Sequence, residues 1–251
     1  MVAVLSEWMA IQLSDRSRVA SKNSKQRKVH GRGTEAGSKL SPRLVQRGFT
    51  FRTLVEKADF SELPALAESI RSAGVWNCPT LVLNQVIPED AEWHRRFALV
   101  PPDILERYRK MYPQWNPDVA LTLQAYQQSI SMTRALHEAG AHLLAGTDAF
   151  KPTVLPGFSL FQELQSFVEA GLTPYQAIRA GTADAAIFLH QENEFGVVAV
   201  GRRADLVLLE ANPLQEVKNL SARAGVMVNG HWFTEAGLRQ RLSALRKSYQ
   251  H

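Results

Sequence analysis

Two stretches of this chain end a helical pattern on Ala-Gly and begin an apolar strand pattern at the next residue. Ser72-Ala73-Gly74 precedes Val75-Trp76-Asn77-Cys78-Pro79-Thr80-Leu81-Val82-Leu83, and Glu138-Ala139-Gly140 precedes Ala141-His142-Leu143-Leu144-Ala145-Gly146-Thr147. Glycine stops a helix because it enters the left-handed region without a Cβ clash. A strand that is apolar at nearly every position must be covered on both faces, which is the situation of parallel sheets flanked by helices. Helix, glycine and buried strand, twice over, predict a parallel α/β arrangement. Pro79 weakens the middle of the first strand, because it has no N–H to give to a ladder.

The flanking helices are legible from their spacing. Leu63, Leu66, Ala67 and Ile70 fall on one face, after Asp59 and Ser61 as caps and Pro64 in the first turn. Residues 118–139 repeat the helical period through Val119, Leu121, Leu123, Ile130 and Leu136. A third helix spans about 159–170 and stops at Ala170-Gly171; Thr173-Pro174 opens a fourth over 174–189. Between the first strand and the long helix, residues 84–117 carry Pro88, Pro101, Pro102, Pro113 and Pro117 among Trp93, Phe97, Tyr108, Tyr112 and Trp115. Such a connection, here with a short helix near 102–111, either covers a site or forms a satellite hydrophobic cluster.

The pattern changes after residue 194. Residues 195–201 and 204–209 read as short strands, and 225–233 as a hairpin with Asn229-Gly230 at its tip. Residues 234–248 form a closing helix through Leu238, Leu242 and Leu245. Order is expected to begin near Val55. Upstream, residues 14–50 are rich in Ser, Lys, Arg and Gly with no apolar period, so they cannot bury enough surface to offset their ordering entropy.

Charge divides along the same line. Residues 1–57 hold 12 Lys and Arg against 4 Asp and Glu, which leaves 17 basic against 20 acidic side chains for the rest. The basic arm reads as a solvated tail, a phosphate-binding arm or a targeting peptide. The slightly acidic body gives no reason to expect nucleic acid. No apolar run approaches the length of a membrane span, so no membrane is expected. A single cysteine, Cys78, forms no internal disulfide, and the expected compartment is the reducing cytoplasm.

One residue stands out chemically. Asp148 follows Gly146-Thr147 at the carboxyl end of an apolar strand, the end that faces the ligand crevice in parallel α/β folds. A carboxylate there ligates a metal or accepts a proton from an activated water; the structural alternative is an Asp that caps its own loop. His142 lies on the same strand face but about 20 Å away at ~3.3 Å per residue, too far to share an ion. The sequence has no His-x-His, no His-Glu-x-x-His, no Gly-x-Ser-x-Gly and no paired-cysteine motif. Cys78 reads as a buried apolar residue rather than a nucleophile.

Larger motifs carry a resemblance. His142-Leu143-Leu144-Ala145-Gly146-Thr147-Asp148-Ala149, Pro156-Gly157-Phe158-Ser159-Leu160, Glu163-Leu164 and Glu169-Ala170-Gly171-Leu172-Thr173-Pro174 resemble the last barrel unit of metal-dependent amidohydrolases. Phe195-Gly196 through Gly201, Ala204-Asp205-Leu206-Val207-Leu208-Leu209 and Val228-Asn229-Gly230 are similar to that family's return into its β-sandwich. The nearest branch is the imidazolonepropionase-like and Xaa-Pro dipeptidase-like group.

The resemblance implies an incomplete TIM barrel, its last two βα units over 54–190. It also implies a small C-terminal β-sandwich portion over 191–235 and a helix over 236–251, after a basic arm over 1–53. It further implies a divalent metal, zinc by the usual chemistry of such sites, and hydrolysis of a non-peptide or cyclic C–N bond in a small-molecule substrate. Asp148 then takes the place of the last-strand aspartate that binds metal and shuttles a proton to the leaving nitrogen. The family's His-x-His strand, its midway lysine or glutamate and its two single histidines have no counterpart here, and Phe161 stands where relatives often carry histidine. The chain is therefore expected to be the C-terminal portion of such an enzyme, completed by an N-terminal half or self-associating through open strand edges. Otherwise it is an inactive remnant that binds partners.

Overall fold

The computed structural model describes residues 2–4, 51–86, 91–111, 118–149 and 154–249. Most of the expected basic arm lies outside these residues, as do Pro88, Tyr112, Pro113, Trp115 and Pro117. The described elements are β1 (Val2–Val4), α1 (Phe51–Glu56), α2 (Leu63–Ser72), β2 (Trp76–Asn77), α3 (Ala91–Phe97), α4 (Pro102–Met111), α5 (Val119–Glu138) and β3 (His142–Leu143). They continue with α6 (Ser159–Glu169), α7 (Pro174–Ala180), α8 (Ala183–Phe188), β4 (Leu206–Leu209), β5 (Arg223–Val228), β6 (His231–Thr234) and α9 (Glu235–Ser248).

The two Ala-Gly joints are structurally equivalent. Gly74 and Gly140 take φ of 64° and 77°, and the strands that follow pair in parallel with Trp76 opposite His142 and Asn77 opposite Leu143. Each paired residue stands at the same distance from its own glycine, so the glycines set the register.

Both strands are far shorter than the sequence reading. After Pro79, Thr80 turns to φ 51° and Leu81–Asn84 form a 3₁₀ turn rather than the second half of a strand. The reason is where the backbone donors go. Pro79 has none, and the N–H groups of Leu81 and Val82 donate to the Glu163 carboxylate at 3.0 and 2.8 Å. In the second strand Leu144 N–H still reaches Asn77 O, but Ala145 N–H donates to Ala180 O at the end of α7. The ladder gives way to a helix terminus after two residues.

The helices follow their signals with three exceptions, the first at the start of α2, where Glu62 is the N-cap with no side-chain cap, so neither Asp59 nor Ser61 caps it. Asp118 caps α5, accepting from Leu121 N–H at 3.1 Å. Thr173 and Gln176 form a reciprocal capping box at α7. The fourth helix, expected as one element over 174–189, is broken at Gly181-Thr182 into α7 and α8; a Cβ on Gly181 would meet that of Ala145 at 3.5 Å. On α2 only Ala67 is buried, while Leu66 is half exposed, so the face that packs on α5 is narrower than the spacing implied. The helix near 102–111 is present as α4, with α3 preceding it.

The C-terminal part forms one antiparallel sheet in the order β1-β4-β5-β6. Among the described residues it is a single sheet with α9 against β5 and β6, not a two-sheet sandwich. Residues 195–201 are turns rather than a strand, because Gly196 (φ 98°) and Gly201 (φ 83°) bend the chain and Phe195 N–H bonds back to Gln191 O. The hairpin tip is Asn229-Gly230 with φ 48° and 78°, the left-handed pair that a two-residue turn requires. The edge strand β1 is not among the strands that the sequence pattern predicts.

A single buried cluster joins the two parts. Tyr126, Ile130, Leu143, Leu164 and Phe167 from the α/β part pack with Val207, Leu209 and Val226 from the sheet and with Leu220 from the 3₁₀ turn before β5. Among the described residues no helix is long and apolar enough to cross a membrane.

Candidate active site

Each strand delivers its chain to a loop that starts with a left-handed, non-glycine residue: Thr80 after β2 and Asp148 (φ 47°) after β3. For a β-branched residue this is a true outlier, and such positions cost about 1–3 kcal/mol and cluster where function holds them. Asp148 itself is exposed between buried Thr147 and Ala149. The fold thus presents its carboxylate to solvent at the carboxyl end of the parallel pair, as the strand position implied.

The two loops touch. The Cys78 sulfur fits over Gly146, where a Cβ would come within 2.5 Å of it. Cys78 as a residue is exposed, but its sulfur is tucked inward. Burial first, then the charges of Glu163 and Asp148, push its thiol up to about 11. That matches an inert thiol rather than a nucleophile, although the residue is not buried as expected.

Glu163 is the functional-looking residue that the sequence reading left unassigned. It is fully buried on α6, and its carboxylate holds the Leu81 and Val82 amides. Burial pushes its acid up to about 7, against the lowering effect of those two N–H donors. A signal was present: Ser159, Glu163, Ser166 and Ala170 recur at helical spacing and all four are buried. Phe161, on the same helix, stacks under the Arg223 guanidinium at 5.4 Å.

His137 and His142 lie elsewhere. His142 stacks on Trp76 at the amino ends of the strands, with ring centroids 4.3 Å apart. Both border an open cavity of about 290 Å³ that also includes His137, Gln176, Arg179 and Asp184. Arg179 pairs with Asp184 at 2.9 Å, and burial raises the Asp184 carboxyl despite that cation. Among the described residues no three His, Cys, Asp or Glu side chains converge as a metal site. Asp148 belongs to no such group.

The sequence pattern of the amidohydrolase family matches residues 15–233. The chain belongs to the amidohydrolase family. The match begins inside the basic arm, upstream of the residues that carried the resemblance. Among curated relatives, the chain is 37% identical over 98 residues to an ochratoxinase of Aspergillus niger, covering 38% of this chain and 18% of that protein. It is 40% identical over 83 residues to the imidazolonepropionase of Rubrobacter xylanophilus, covering 31% of this chain and 19% of that protein. Among solved structures, a bottromycin amidohydrolase superposes with a TM-score of 0.55 at 27% identity, over 80% of this chain and 47% of that one. The fold is accordingly TIM-barrel-like α/β. The matched segment spans under a fifth of those curated relatives and under half of that solved chain.

Proposed function

We propose that this amidohydrolase-family chain is the C-terminal portion of a hydrolase of non-peptide or cyclic C–N bonds, with Asp148 as its acid–base carboxylate. The observation that carries the reading is the exposed, left-handed Asp148 at the end of β3, next to a loop held in place from the protein interior. In the reaction an ionised Asp148 takes a proton from the attacking water as the new C–O bond forms. It then passes that proton to the leaving nitrogen as the C–N bond breaks.

A divalent metal such as zinc, the family's means of activating water, does not fit the described residues alone, since a site needs three or four donors and Asp148 is one. The missing donors are assigned to a complementing N-terminal half. The short coverage of the relatives and the lack of a His-x-His pair in the sequence support this reading. The same two facts favour a second reading, an inactive chain that binds partners. The cytoplasm is the proposed compartment, from the single cysteine.

Mixing the chain with the N-terminal half of a family member, and assaying cyclic amides and N-acyl amino acids, separates the two. Hydrolysis that appears only on mixing and disappears with Asp148→Asn supports the enzyme. Soluble complexes without hydrolysis, or activity that survives Asp148→Asn, overturn it.

A further inference from the structure

Glu163 does not touch the candidate site, yet it is joined to it by a short physical chain. Its two carboxylate oxygens each accept one backbone N–H, Oε1 from Leu81 and Oε2 from Val82. Those two amides belong to the 3₁₀ turn that follows left-handed Thr80, a segment that pairs with no strand among the described residues. The Val82 side chain is fully buried and packs with Ala149, Val154 and Leu83 in a small cluster of its own. Ala149 is the residue after Asp148.

We propose that Glu163 is a positioning residue: it fixes the turn after β2, and through Val82 and Ala149 it holds the loop that aims Asp148. The inference rests on the reading of Asp148 as the site's carboxylate. It goes beyond that reading by naming what holds the carboxylate in its strained conformation.

The chemistry explains why a carboxylate serves here. Two amides diverging from one turn need two acceptor atoms at one point, and an ionised carboxylate is the one side chain that offers them as equal, charge-assisted partners. A glutamine keeps one acceptor and turns a donor toward the other amide. A leucine leaves both amides unsatisfied inside the protein, which is costly. A protonated acid resembles the glutamine, so the hold weakens on acidification. The titratable groups that sense this charge are the Cys78 thiol and the Tyr126 hydroxyl on α5 (pushed up to about 12).

The test is amide hydrogen exchange, read residue by residue on the full chain. In Glu163→Gln, protection is expected to fall about tenfold at Leu81 or Val82, as for the loss of one such hydrogen bond, and to fall in parallel at Ala149. Glu163→Leu loses protection at both amides. In the unmodified chain, protection at Val82 and Ala149 falls as pH is lowered through about 7, and the Gln variant shows no such step. As a control for general loosening, Val226→Ala in the shared core leaves the ratio of Ala149 to Ile130 protection unchanged.

Ala149 protection that stays at its original level in both variants, or a flat pH profile in the unmodified chain, overturns the proposal. The pH profile decides the matter even where a variant does not fold. In the complemented enzyme, Glu163→Gln lowers kcat with KM unchanged. Asp148→Asn leaves the exchange pattern intact, so hydrolysis that survives it removes the functional reading without touching the positioning one.

Discussion

The two halves of this molecule satisfy their backbones in opposite ways. The C-terminal sheet satisfies most of its backbone through its own ladder of four strands and three antiparallel pairings, and takes one side-chain acceptor at its hairpin tip, where the buried Asp205 carboxylate accepts Asn229 N–H at 2.7 Å. The parallel pair manages two residues per strand. Beyond that, its donors go to a buried carboxylate and to a helix terminus. Among the described residues the parallel pair has no further neighbour, so its ladder ends early and the strand ends become loops held by specific side chains. Those loops carry the left-handed Thr80 and Asp148.

The two regions nonetheless share one core, and the largest expected effect comes from breaking it. Phe167 is fully buried between α5 and the sheet cluster. Phe167→Ala costs about 3–5 kcal/mol from lost burial and a residual cavity. Denaturant unfolding is expected to show both regions melting together at the lower midpoint. Independent transitions would mean that the regions are separate domains.

That shared core marks the limit of what the sequence displays. Helix period, the Ala-Gly joints, Asn229-Gly230 and the strand-end position of Asp148 are local signals, and each appears in the structure where the spacing places it. The strand lengths are not local. Whether Leu81 and Val82 ladder with a neighbour depends on Glu163, 82 and 81 positions away along the chain. The helix interrupted at Gly181-Thr182 ends beside Ala145, whose N–H bonds Ala180 O from a distant part of the sequence. β1 pairs with β4 across almost the whole chain, and three residues carry too little pattern to predict it.

The next effect is electrostatic and belongs to the α/β half alone. Burial raises the Glu163 acid from 4.5 to about 7, so the folded state holds its proton more tightly than the unfolded chain. The associated stability is fully present below pH 4.5 and is lost as pH rises through about 7. The size is on the order of 3 kcal/mol. Unfolding measured from pH 4.5 to 8 is expected to show this decline, and Glu163→Gln is expected to flatten it. Local hold and global stability therefore move oppositely with pH: ionisation tightens the turn while burying a charge.

Gly225→Ala sharpens the contrast from the other side. A Cβ there would lie 2.2 Å from the Trp232 ring and 2.8 Å from Phe233 O. The ring can rotate away but the carbonyl cannot, so a cost of about 1–3 kcal/mol is expected. Hydrogen exchange should rise first in β5 and β6, with Leu81 and Val82 unaffected. The smallest effect is Thr173→Ala, which removes the capping box of α7 for about 1 kcal/mol, read as a lowered thermal midpoint.

The central claim is that this chain presents one functional carboxylate, Asp148, and needs donors from a partner to complete its site. Elemental analysis of the purified chain, after incubation with zinc and removal of the excess, tests it most directly. The account predicts well below one zinc per chain, rising to stoichiometric zinc when the N-terminal half of a family member is added and falling again in Asp148→Asn. Stoichiometric zinc held by the chain alone, or zinc in the mixture that is indifferent to Asp148→Asn, would contradict it.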